Sequence, residues 1–114
     1  GAAPPDPMIA RAVALLSTAE TRVDDVADSL GVTRQHLARS FRREVGITPK
    51  QLARIARMQR AAAALRRGGD LAQLAAELGY FDQSHLSHEL RDLVGLTPAA
   101  VAAEQPIALS HLFR

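Results

Sequence analysis

The chain of 114 residues contains no cysteine and no tryptophan. Without cysteine there is no disulfide, no thiolate metal site and no cysteine nucleophile. Aromatic residues make up only 4%, a single Tyr and three Phe, and the β-branched and aromatic runs that build strands are missing. No apolar run approaches the ~18 residues of a membrane span. The opening GAAPPDP has neither the basic nor the apolar segment of a secretory signal. These absences lead us to expect a soluble, cytoplasmic protein with no membrane partner. The Pro-rich start reads as a linker or remnant of a larger parent protein.

Acid is also scarce in one place. Between Thr33 and Arg67 stands a single carboxylate, Glu44, against ten of the fourteen Lys and Arg of the chain. The net charge is only +2 although the pI is about 9.9, so the distribution of charge matters more than its total. Cations crowded into the middle, with acids toward the two ends, point to a polyanionic partner along one face. A merely solvated helix face is the alternative.

What the chain has in abundance is Ala and Leu, both strong helix formers, which makes the class all-α. Asp6-Pro7 starts a first helix, with Ile9, Val13 and Leu16 at helical spacing. Thr21 with Asp24 resembles a capping box before a short helix from Val23 to Leu30. Gly31 ends it, and Thr33 caps the next helix, Arg34 to Val45, whose inner face is Leu37, Phe41 and Val45. Gly46-Ile47-Thr48-Pro49 stops one helix and starts a long one reaching Arg67, roughly 28 Å at 1.5 Å per residue. Its apolar stripe is Leu52, Ile55, Ala56, Ala62 and Leu65. Gly68-Gly69 stops it. Asp70 then caps Leu71 to Leu78, and Asp82 caps Gln83 to Val94. Gly95-Leu96-Thr97-Pro98 leads into a seventh helix, Ala99 to Ala103.

Two of these segments are copies. Val23–Leu52 lies over Leu71–Val101, matching Ala27, Leu30 and Gly31 with Ala75, Leu78 and Gly79. After one extra residue in the second turn, His36-Leu37 matches His85-Leu86, Phe41 matches Leu90, and Arg42 matches Arg91. Val45-Gly46-Ile47-Thr48-Pro49 then matches Val94-Gly95-Leu96-Thr97-Pro98. Helix, Gly-led turn, helix is the spacing of a helix-turn-helix. The domain plan is thus residues 1–7 as linker or remnant, 8–48 as the first helix-turn-helix subdomain and 49–67 as a linker helix. Residues 68–104 form the second subdomain, and 105–114 a tail without a readable role. Tandem reading heads suit one face of B-DNA if their recognition helices lie about 34 Å apart, in successive major grooves.

A recognition helix presents its N-terminal, outward residues to base edges. With Leu37 and Phe41 inward, the first outward set is Arg34, Gln35, Ala38, Arg39 and Arg42. Arg pairs bidentately with guanine and Gln with adenine. Gln35 and Arg39 are therefore assigned to bases, Arg34 to bases or phosphate, and Arg42 and Arg43 to phosphates. The second outward set, Gln83, Ser84, Ser87, His88 and Arg91, is neutral and polar, with Asp82, Glu89 and Asp92 nearby. The first head should dominate. His36 and His85, matched between the copies, read as structural or phosphate-facing. Spacer Arg54, Arg57 and Arg60 either touch phosphate or pair with acids such as Asp24, Asp25 or Asp28, and Arg57 favours the structural role.

The motifs resemble those of the AraC/XylS transcriptional regulators. LAAELGYFDQSHLSHELRDLVGLTP looks like that family's signature, VADSLGVTRQHLARSFRREVGITP like its partner motif, and PKQLARIARMQRAAAAL like its linker helix. The likeness runs from about Ile9 to Val101 and implies the family's DNA-binding domain. The partners implied are double-stranded DNA and RNA polymerase, with an effector domain outside this chain. Three positions depart from the family pattern: His88 stands where a basic residue is usual, Leu90 where an aromatic is, and Leu52 where Tyr is.

Rival readings remain. His85-x-x-His88-Glu89 sets two imidazoles one turn apart, a possible metal pair, but no third ligand is evident. The methyl-transfer chemistry that accompanies similar DNA-repair domains needs Cys. A helical protein-interaction domain without nucleic acid does not explain the Arg-rich recognition helix. No enzyme activity, cofactor or metal is expected.

Overall fold

The computed structural model describes residues 6–18 and 22–104. Among them are seven helices and no strand: α1 (Pro7–Thr18), α2 (Val23–Ser29), α3 (Arg34–Val45), α4 (Pro49–Arg66), α5 (Leu71–Glu77), α6 (Gln83–Val94) and α7 (Pro98–Ala103). The all-α expectation and the order of elements hold.

Local chemistry sets most of the ends. Met8 N–H donates to Asp6 Oδ1 at 2.8 Å, as the Asp-Pro start predicts. Thr33, Asp70, Asp82 and Thr97 each accept from the N–H three residues on, satisfying one of the donors a helix start leaves unpaired. At α4 the cap is reciprocal. Gln51 N–H donates to Thr48 Oγ1 at 3.1 Å and Thr48 N–H to Gln51 Oε1 at 2.8 Å, a complete capping box. The C-caps of the matched helices are Gly46 (φ 91°) and Gly95 (φ 74°). This left-handed backbone costs an L side chain roughly 1–2 kcal/mol and Gly nothing. The start of α2 differs from that of its repeat partner α5: the residue before Val23 is Arg22, which makes no side-chain cap. The Thr21 half of the expected capping box lies outside the described residues, as do the 105–114 tail and residues 1–5.

The chain divides into two compact units, 1–56 and 57–114. In the first, Ile9, Ala12 and Leu16 of α1 meet Val26 and Ala27 of α2, Leu37 and Phe41 of α3, and Leu52 of α4. In the second, Met58, Ala61, Ala62 and Leu65 of α4 meet Leu74 and Ala75 of α5, Tyr80 of the turn, Leu86 and Leu90 of α6, and Val101 of α7. Each buried large side chain contributes roughly 1.5–3 kcal/mol.

The two cores follow one plan. A leading helix covers each helix-turn-helix, α1 in the first unit and the later turns of α4 in the second. A trailing helix closes each core with one residue, Leu52 in the first and its repeat partner Val101 in the second. The helix expected to be a linker therefore supplies core residues to both units, its start as the trailing helix of one and its end as the leading helix of the other. Its apolar face includes Met58 and Ala61, both fully buried, beyond the stripe read from sequence.

One expected core residue is corrected. Val45 is 37% exposed. It keeps the spacing of the inward face, but it occupies the last position of α3 and is not among the side chains packed on the first core.

Candidate nucleic-acid interface

The outer face of α3 is built by its inner one. Leu37 and Phe41 are fully buried, so helical geometry turns Arg34, Gln35, Arg39, Arg42 and Arg43 to solvent, and all five are exposed. Ala38 is half-buried between them. Four Arg thus share one helix with a single acid, Glu44, whose Oε1 accepts from Asp6 N–H at 3.2 Å. Among the described residues no ion pair engages Arg39, Arg42 or Arg43. Arg42 and Arg43 lie in the last turn, where the helix dipole also favours cations.

Arg34 is held differently. Its Nε lies 3.1 Å from Asp24 Oδ1 of α2, both side chains about half exposed. Asp24 was a candidate partner for the α4 arginines; Arg34 takes it instead. An exposed pair of this kind is worth little in water, so it orients Arg34 without removing it from a polyanion's reach.

The outward set of α6 is gathered on one surface. Gln83, Ser84, Ser87, His88 and Arg91 line an open depression of about 260 Å³. Ser87 Oγ donates back to the Gln83 carbonyl at 3.0 Å, leaving the hydroxyl oxygen free to accept. Arg91 is the one Arg of this helix; of its two acids Asp92 is exposed, whereas Glu89 is buried on the inner side. This face suits neutral hydrogen bonding more than charge pairing.

His85 belongs to the scaffold of the turn. Its Nδ1 accepts from Phe81 N–H at 3.1 Å. Its ring meets Tyr80 edge-on, with centroids 5.1 Å apart, and Nε2 lies 3.8 Å from Glu89 Oε1. With Nδ1 accepting from Phe81 N–H, His85 has only Nε2 left to offer a ligand. Among the described residues, no group of three or more potential ligands gathers. His36, its repeat partner, is exposed and has its N–H capped by Thr33 Oγ1 at 3.0 Å.

Among the described residues Arg57 makes contacts within the fold, with an aromatic ring and a carbonyl and not with an acid. Its guanidinium carbon sits 4.4 Å from the Tyr80 ring centroid, and its Nη1 donates to the Gly79 carbonyl at 3.3 Å. Tyr80 is 5% exposed, and burial pushes its phenol up to about 12, with Arg57 opposing the shift. Sequence reasoning missed this pairing and also Phe81, which is 92% exposed. For Phe81 a signal existed, the single extra residue of the second turn.

Two helix-turn-helix units, one with an exposed arginine face, define the class: a DNA-binding domain of a transcription regulator. Residues 26–104 match the family described as helix-turn-helix domain, and the chain belongs to that family, in its AraC type. It is 35% identical over 97 residues to a Streptomyces lividans protein described as an AraC-like transcription regulator. That match takes in 82% of this chain and 32% of the relative, so the chain spans about a third of that protein's length. Among solved structures it is similar to an AraC-type DNA-binding domain-containing regulator of Chromobacterium violaceum, with TM-score 0.77, 28% identity, and 85% and 90% of the two chains covered. The C-terminal domain of AraT, a response regulator from Geobacillus stearothermophilus, shares the fold with TM-score 0.81 at 23% identity, over 94% and 93% of the chains. The family and fold are those of transcription regulators rather than enzymes. Among the described residues no helix is long and apolar enough to cross a membrane.

Proposed function

We propose that this domain reads double-stranded DNA in the cytoplasm with α3 and α6 in successive major grooves, α3 contributing most of the affinity. The observation that carries this reading is the exposed Arg34, Gln35, Arg39, Arg42 and Arg43 face, set against the fully buried Leu37 and Phe41 of the same helix. Gln35 and Arg39 read base edges. Arg34 reads bases or phosphate, Arg42 and Arg43 neutralise phosphates, and Ala38 allows close approach. On α6, Gln83, Ser84, Ser87, His88 and Arg91 make the weaker second set, and His85 holds the turn beside them. RNA polymerase and an effector domain outside this chain are the further partners of this reading. It is supported by the small share of the Streptomyces regulator that the chain spans.

Unbiased selection of duplexes by the purified chain tests it. Two half-sites should emerge, the one read by α3 more sharply defined. Affinity should fall steeply with salt, since each phosphate neutralised contributes a slope of about −0.9 on logarithmic axes. A flat salt titration, or selection of no sequence, would overturn the reading.

A further inference from the structure

The second turn carries one residue more than the first, and backbone hydrogen bonds identify it. In the first copy Val32 N–H donates to the Ala27 carbonyl at 3.1 Å; in the second Tyr80 N–H donates to the Ala75 carbonyl at 2.9 Å. Ala27 and Ala75 are matched positions of the repeat. The caps Thr33 and Asp82 correspond as well, each accepting from the N–H three residues on. Phe81 is the residue inserted between these landmarks.

Its backbone is held and its side chain is not covered. Phe81 N–H donates to His85 Nδ1 at 3.1 Å, and the His85 ring is braced edge-on against buried Tyr80. The Phe81 side chain is 92% exposed. A lone exposed apolar residue is ordinary on a protein surface. This one stands directly before Asp82, the cap of α6, two residues ahead of Gln83, the first residue lining the α6 depression. Residues at that end of a recognition helix approach base edges. The apolar mark a major groove offers is the thymine methyl, and Phe is among the side chains that meet it.

We propose that Phe81 is a specificity-determining residue of the second helix-turn-helix, contacting a thymine methyl in the major groove, with His85 as the residue that positions it. The inference rests on the DNA-reading proposed above. It accounts for a second head whose exposed face carries a single Arg, Arg91: discrimination there comes from an apolar contact and neutral hydrogen bonds more than from guanidinium.

The chain is titrated with its selected duplex, in which each thymine of the half-site read by α6 is replaced singly by deoxyuridine, removing one methyl. At one position the native chain should bind about fourfold more weakly, corresponding to ~0.8 kcal/mol. Phe81→Ala should bind the parent duplex more weakly and no longer distinguish thymine from uracil there. Phe81→Leu, which keeps apolar bulk, should retain part of the discrimination. His85→Ala should blunt it while leaving the response to base changes opposite α3 intact. If Phe81→Ala discriminates by the same factor as the native chain, or binds every duplex as the native chain does, the inference is overturned. Failure of the native chain to bind any duplex would instead remove the DNA-reading itself, and this inference with it.

Discussion

Arg57 and Tyr80 are stacked, guanidinium over phenol ring at 4.4 Å, with the same guanidinium donating to the carbonyl of Gly79. The contact ties α4 to the turn that precedes α6. A cation over a partly desolvated ring is worth about 1–2 kcal/mol, and the bond to a carbonyl beyond the end of α5 adds to it. Arg57→Ala should therefore lower unfolding free energy by about 1–3 kcal/mol in urea titrations. The salt slope of DNA binding should stay unchanged in the variant. A slope reduced by about one would reveal a phosphate contact instead.

Tyr80 is the single tyrosine of a chain without tryptophan, so its tyrosinate absorbance reports it alone. Its phenol should titrate near 12, not at the usual 10, because burial penalises the charged form. The folded value lies above the unfolded one. The stability contributed by keeping the phenol neutral is then fully present below pH 10 and lost as pH rises through 12, by about 2–3 kcal/mol. Tyr80→Phe should remove that loss at little cost near neutral pH, since the hydroxyl makes no well-formed hydrogen bond among the described residues. A tyrosinate midpoint at 10 in the folded chain would contradict the burial.

Phe41 and Val45 are one turn apart on α3, and only Phe41 is buried. Phe41→Ala should cost about 3–5 kcal/mol, from lost transfer energy and the cavity left behind. Val45→Ala should cost well under about 1 kcal/mol, the usual range for substitutions near the surface. Thermal unfolding of the two variants compares them directly, and similar costs would contradict the exposure of Val45.

Arg39→Ala should weaken specific binding by about 1–3 kcal/mol and relax preference at one base pair. A uniform loss over all sequences would make Arg39 a phosphate contact. The double change Gln83→Ala with His88→Ala should cost less than Gln35→Ala with Arg39→Ala, because the α6 face lacks the guanidinium groups of α3. Equal or larger losses would reverse the ranking of the two heads. Competition binding against randomised duplexes measures both comparisons.

Much of the fold was legible because its signals are local. Thr33, Asp70, Asp82 and Thr97 act as caps through hydrogen bonds spanning three residues. Gly46 and Gly95 end helices by their own backbone freedom. The repeat made the outward faces readable, since burying Leu37 and Phe41 leaves helical geometry no choice about Gln35, Arg39 or Arg42. What failed involved partners distant in sequence or a core whose edge the pattern does not mark. Periodicity placed Val45 inward, but whether a last turn still meets the core depends on where the packed helices stop. Charge made acids the natural partners of the α4 arginines, yet Arg57 meets an aromatic ring 23 positions on.

The sequence by itself determined the class, the helices, the repeat and the basic face, all consequences of chemistry acting within a few residues. Tertiary structure alone decided that α4 supplies core residues to both units. It likewise decided that Arg34 takes Asp24 and that the half-buried His85 ring accepts from the Phe81 backbone. Those outcomes depend on which surfaces come together once the cores form, because ion pairs, ring contacts and burial are distances in space. The turn before α6 shows both kinds of information at once. Its extra residue is visible in the letters, and its exposed ring only in the fold.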